Sequence, residues 1–123
     1  MAGLNDTGYG VMLDAFAGVA IYASLHIDDP GTAGTAEVTG GAPAYARESI
    51  SWEAAASAAL TTDAQIVFDV PAGTTITHLG YWSAVSSGTF YGSRQLSSSE
   101  SYTGQGTYTI NTGDIDESLT DVV

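Results

Sequence analysis

Few side chains in this sequence could do chemistry. It has two histidines, His26 and His78, fourteen acidic residues, two arginines, no lysine and no cysteine. The densest stretch is "SLHIDDPGTAGTAEVTGGAPAYARESISW", residues 24–52, where His26, Asp28 and Asp29 stand close together and Arg47 closes the run. A serine hydrolase needs a nucleophile, a base and an orienting acid brought together. The chain has no "GxSxG", and no serine lies between the glycines of a tight nucleophile turn, so hydrolysis ranks last. Glycosidic cleavage needs two facing carboxylates, and Asp28–Asp29 or Asp114–Asp116 could supply them. Fourteen carboxylates on a small surface give such pairs by chance, so solvated charge is the simpler reading.

A divalent cation is the third option. His26 with Asp28 and Asp29 is one donor set, and "NTGDIDE" adds Asn111, Asp114, Asp116 and Glu117 as oxygen donors for calcium. Neither has the spacing of an EF-hand loop. Asp114 and Asp116 are kept as calcium candidates, with no catalytic residue and no cofactor assigned. Stacking on a sugar is open to Tyr22, Tyr45, Tyr81, Tyr91, Tyr102, Tyr108, Trp52 and Trp82, although strand packing explains most of them.

These residues must be positioned by a chain of 123 residues and 12.6 kDa, the size of one domain, expected to span 1–123. Without cysteine, packing alone must hold it. The formal charge of −12 leaves no basic patch, so nucleic acid is excluded as a partner, and attraction to an anionic membrane fails for the same reason. No apolar run is long enough to span a bilayer and no basic leader precedes one, so a soluble, unprocessed protein is expected. Hydrophobic residues at 44% oppose disorder. Such self-repulsion weakens in concentrated salt, which points to a halophilic setting; a merely acidic mesophilic protein is the alternative.

Periodicity supplies the elements. Residues 5–18 predict a short helix with Asp6 or Thr7 as N-cap, Met12, Leu13, Phe16 and Ala17 at helical spacing, and Gly18 as the stop. From residue 19 the period becomes two: Ile21, Ala23, Leu25 and Ile27 share one face and Tyr22, Ser24 and His26 the other, as in a half-buried strand. "YARESISW" and "QIVFDV" alternate likewise, and "PAG" at 71–73 predicts a turn closing a hairpin into "TITHLGYWSA". Tyr81 and Trp82 must face opposite ways. "TFYGSRQL" and "TYTIN" read as strands, "SSSESYTGQG" as a loop between them, and the tail as a last edge strand. The fold expected is mainly β, an antiparallel β-sandwich or jelly roll with a short N-terminal helix.

The opening stretch is then a turn, "DDPG", followed by a small-residue loop through residue 46. Loops of this length are functional or mobile, so recognition by contact suits it better than catalysis. An arginine kept in so acidic a chain is expected to pair with a carboxylate and fix the loop's return, inside the subunit or across an interface.

The order "SLHIDDPG", "EVTGGAPAYARESISW", "VFDVPAGTTITHLGYWSA", "SGTFYG" and "GQGTYTI" resembles a family of small virion proteins of tailed viruses, labelled tail-fibre or minor tail proteins in viruses of actinobacteria. The likeness covers about residues 4–111. It implies a virion structural component without enzymatic activity, either a capsid decoration or turret, or a tail component, since similar sandwich domains serve each place. Partners implied are further copies of itself as a homo-oligomer, other virion proteins, and host surface glycans or a glycoprotein as attachment targets. Two departures, the scarcity of basic residues and Glu48 after "YAR", point to a virus of a halophilic archaeon. Segment 1–18 and the 28–46 loop are expected to carry contacts, with Asp28, Asp29, Tyr45, Arg47, Trp82 and Arg94 as contact residues. A carbohydrate-binding adhesion domain is the alternative.

Overall fold

The computed structural model describes residues 4–119, so the first three residues of the expected 1–18 segment and the end of the tail lie outside the described residues. The elements are α1 (Asp6–Val19), β1 (Tyr22–His26), β2 (Glu48–Ser49), β3 (Ala59–Thr61), β4 (Ile66–Val70), β5 (Thr74–Trp82), β6 (Phe90–Tyr102), β7 (Gly106–Ile110) and β8 (Asp116–Ser118). Every strand pairing among them is antiparallel, and the fold is mainly β with one short N-terminal helix, as expected.

The helix is capped one residue earlier than the sequence suggests. Asn5 Oδ1 accepts the Gly8 N–H at 2.9 Å, which satisfies one donor that the first turn leaves orphaned. Gly18 does not stop it; α1 runs on to Val19, and the Ala20 N–H still reaches Phe16 O at 2.8 Å. Phe16 packs edge-on against Trp52, Tyr81 and Tyr91, which pins α1 over one end of the sheet.

Four strands form one sheet in the order β2-β1-β5-β6, while β3 pairs with β8 and β4 with β7. One face of the larger sheet sends Ala23, Leu25, Ile76, Leu79 and Tyr81 into a core shared with Ile66, Phe68, Val70 and Ile110 of the β4–β7 pair. Removing a Leu, Ile or Phe side chain from water contributes roughly 1.5–3 kcal/mol, so this layer supplies the main cohesion.

The opposite face is buried as well. Ser24 and His26 are fully buried, whereas Ile21 and Ile27, expected inward, are exposed, so β1 is covered on both faces rather than half-buried. The cover on the second face is the 28–46 loop. Gly34 lies so close to Trp82 and Phe90 that an added Cβ would come within 2.4 Å of the indole, and its φ of +74° suits glycine. Trp82 therefore packs under the loop and Tyr81 in the core, on opposite sides as predicted.

Two expectations are corrected. Pro71–Gly73 does turn the chain, but it carries it from the β4–β7 pair to the four-stranded sheet: β4 pairs with β7 and β5 with β1 and β6, so no hairpin forms there. Residues 97–102, expected in a loop, belong to β6. This edge strand is irregular: between the Ile76–Glu100 and His78–Gln95 pairs β6 uses more residues than β5, and a second register shift falls between Tyr81 and Trp82. β8 is the edge strand expected of the tail, paired with β3.

Candidate functional site

Ser24 and His26 are two residues apart on β1 and so point to the same face. Ser24 Oγ and His26 Nε2 are 2.6 Å apart, and His26 Nδ1 lies 2.7 Å from Thr35 O. A carbonyl oxygen only accepts, so Nδ1 carries the proton and Nε2 receives the serine hydroxyl proton. Trp82 Nε1 donates to Ser24 Oγ at 2.9 Å. This is the pairing of a nucleophile with a base, yet both residues have no exposed surface. A methyl group at Gly80 would come within 2.4 Å of Ser24 Oγ and 2.7 Å of His26 Nε2, so no room is left for a substrate. Burial holds the His26 pKa below its usual value, keeping the ring neutral. The network ties the loop to the sheet and performs no visible chemistry.

Arg47 does the same from the other end of the loop. Its Nη2 lies 2.9 Å from Glu37 Oε1 and its Nε 3.0 Å from Oε2, a bidentate pair, while Nη1 donates to Ala84 O at 3.0 Å and Ser87 O at 2.8 Å. The pairing is within the chain. Tyr45 joins it: its hydroxyl donates to Glu37 Oε2 and accepts the Leu25 N–H, both at 2.9 Å. Burial, reinforced by the Glu37 charge, pushes the Tyr45 hydroxyl far above its usual pKa, so it stays a donor. Glu37, the centre of this cluster, stands out in the sequence only as a glutamate of the loop that Arg47 closes, with no role assigned to it there.

The other contact candidates fall elsewhere. Asp28 and Asp29 are exposed and organise their own turn, Asp28 Oδ1 accepting from Asp29 N at 2.8 Å and Asp29 Oδ1 from Gly31 N at 2.9 Å. Asp114 Oδ2 likewise accepts from Asn111 N at 3.2 Å, and Asp116 sits in β8. Among the described residues no three His, Asp or Glu side chains gather as a metal site, so the calcium candidates are not brought together with further carboxylates.

Arg94, on β6, reaches across to β8: Nη1 donates to Asp116 O at 3.0 Å and lies 3.6 Å from Glu117 Oε1. Glu117 also accepts from the buried Tyr81 hydroxyl at 3.1 Å. Beside this corner a cleft of about 410 Å³ opens between the irregular part of β6 and the β7–β8 connection. Leu79 and Ile115 form its apolar side, and Arg94, Gln95, Tyr108 and Asp114 its polar one. The Gln95 amide and the Tyr108 hydroxyl have no hydrogen-bond partner among the described residues. Burial, then the nearby charges of Glu100 and Asp114, raise the Tyr108 pKa and keep its hydroxyl protonated. Tyr108 was among the sugar-stacking candidates, whereas Gln95 was not singled out, because only the irregular turn of β6 brings it beside that ring.

Residues 12–118 match the protein family described as Podophage GP4 fiber I protein gp80. The chain matches none of the curated proteins.

Proposed function

Because the chain belongs to that podophage fiber family, it is a structural tail or fiber component of a tailed-virus particle, and we propose that it works there as a single-domain subunit that assembles with further copies of itself and with neighbouring virion proteins, without catalysis. The observation that supports a non-catalytic role is the sealing of the Ser24–His26 pair beneath the loop, where no substrate can reach it. Tyr45, Arg47 and Trp82 serve contacts indirectly, by holding the loop in one shape, while Asp28 and Asp29 stand exposed on its outer turn. Labelling intact particles with gold-conjugated antibody tests the reading: gold on tails is expected. Gold on heads would make the chain a capsid decoration or turret, and absence of gold with a working control antibody would overturn exposed virion placement.

The cleft beside Arg94 favours a second role in attachment to surface glycans. Unpaired planar donors and acceptors next to an aromatic ring suit a polyhydroxyl ligand, and the volume falls within the ~300–1,000 Å³ of small-molecule sites. Asp114 in the cleft lining and Glu117 beside Arg94 disfavour an anion, so the sugar is neutral. Saturation-transfer NMR with neutral oligosaccharides should show transfer that Tyr108→Ala and Arg94→Ala abolish; no transfer from any neutral sugar would remove this role.

A further inference from the structure

The two faces of β1 are covered by different means. Its core face meets apolar strands, and the other lies under residues 28–36, the first part of the covering loop. The hydrogen bonds of this segment are mostly its own. Gly34 N and Thr35 N both donate to Pro30 O at 3.1 Å, Thr35 Oγ1 donates to the same oxygen at 3.3 Å, and the Asp28 and Asp29 carboxylates hold its entry. Only Pro30 and Gly34 of the segment are buried. It is fastened at its base by Ile27 N donating to Ala36 O at 3.0 Å, and over the sheet by His26 Nδ1 donating to Thr35 O at 2.7 Å. A unit with its own hydrogen bonds and so little buried apolar surface can open while the core stays closed.

What the segment covers is polar and titratable. His26 Nε2 accepts the Ser24 hydroxyl proton, and Ser24 Oγ accepts from Trp82 Nε1. A proton on Nε2 turns that nitrogen into a donor. Ser24 Oγ must then accept from two N–H groups, and its own hydrogen loses its acceptor in a fully buried site. The charge is also poorly placed. From the loop, Glu37 attracts it, but that carboxylate already holds Arg47, whose own charge repels it. From β5, His78 repels it, and Trp82 of β5 and Phe90 of β6 bring rings without net charge. Burial outweighs the pull of Glu37 and of the Thr35 carbonyl, so the ring binds a proton less readily than in water. We infer that residues 28–36 are an acid-released flap: protonation of His26 lifts them from the sheet, wets the ring and uncovers the Trp82–Phe90 pair, whose centroids are 5.0 Å apart. The Arg47–Glu37 clamp anchors the chain just beyond the flap, so the motion ends there. The open form binds the proton more tightly than the closed one, so the flap is shut at neutral pH and its open population grows as the pH falls below the usual histidine value of 6.5.

The two indole N–H groups separate local opening from general loosening. Trp82 Nε1 is bonded beneath the flap, and Trp52 Nε1, beside α1, donates to Ala20 O at 2.8 Å. Hydrogen-exchange NMR on the full chain measures both, with each rate divided by that of free indole at the same pH. Lowering the pH from about 7.5 to about 5.5, above the ordinary carboxylate range, should cut the protection of the Trp82 N–H roughly tenfold and leave that of Trp52 within about twofold. His26→Gln should hold both constant over the same interval. If that variant does not fold, the wild-type chain decides: the Trp82 change should share its midpoint with the ring resonances of His26 and not with those of His78. Constant Trp82 protection in the wild type, an equal loss at both indoles, a loss that persists in His26→Gln, or a midpoint that follows His78 overturns the proposal.

Discussion

The guanidinium of Arg47 lies 3.6 Å from the centre of the Trp82 ring while its nitrogens hold Glu37 and the carbonyls of Ala84 and Ser87. One side chain thereby joins three separate stretches: the covering loop, the inner sheet and the turn between β5 and β6. The loop is long and poor in secondary structure, yet it is a layer of the fold.

Replacing Arg47 with alanine should cost about 3–5 kcal/mol, because Glu37 is left in a mostly buried site without its counter-charge. Arg47→Lys should restore less than half, since an ammonium can neither make the bidentate pair nor lie flat on the indole. Urea unfolding measures both, and a loss below about 1 kcal/mol for the alanine variant would show that the clamp contributes no more than a surface pair.

At Gly80 the prediction is steric. An alanine there meets Ser24 Oγ, His26 Nε2 and Phe90, and should destabilise the chain by about 1–3 kcal/mol. Ser24→Ala should cost a similar amount by leaving Trp82 Nε1 and His26 Nε2 unpaired. Particles assembled with folded Ser24→Ala protein should infect normally, and a loss of infectivity with intact incorporation would reinstate a chemical role for the serine.

The pH dependence follows from His26. Its folded-state pKa lies below 6.5, so below that value the unfolded chain binds the proton first and stability falls as the pH drops. Glu48, raised by burial and by Asp69, acts in the opposite sense near the carboxylate range, so the interval from about pH 7 to 6 isolates the histidine. His26→Gln should flatten the denaturation midpoint across that interval; an unchanged slope would assign it to another group.

Raising salt from about 0.1 M to 1 M shortens the Debye length from about 10 Å to 3 Å and should raise the melting temperature. The source is the formal −12, most of it on exposed side chains. A melting temperature that is flat or falls with salt would mean that self-repulsion contributes nothing to the stability of the fold. The archaeal, halophilic host read from composition finds no support in the family match, which concerns the virion.

Local pattern revealed what local forces decide. Ile66, Phe68 and Val70 alternate with more exposed neighbours, so β4 was legible. β1 was not read fully, because what buries Ser24 and His26 is a loop about ten residues further along. Pro71–Gly73 has the same turn chemistry whether it closes a hairpin or bridges two sheets, and only the distant partner β7 distinguishes these. The serines of β6 look like a loop because an exposed edge strand has no apolar period. Of the site, the rarity of Arg47 foretold a carboxylate partner, while the cleft beside Arg94 depends on a break in β6 that no spacing announces.

That break in β6 has a consequence for the protein in concentrated solution. An outer strand of this length could template sheet growth from one molecule to the next. Its two register shifts leave no long, evenly spaced row of unpaired amides and carbonyls for a neighbour to copy. This edge is therefore a poorer template for strand addition than a regular strand of the same length.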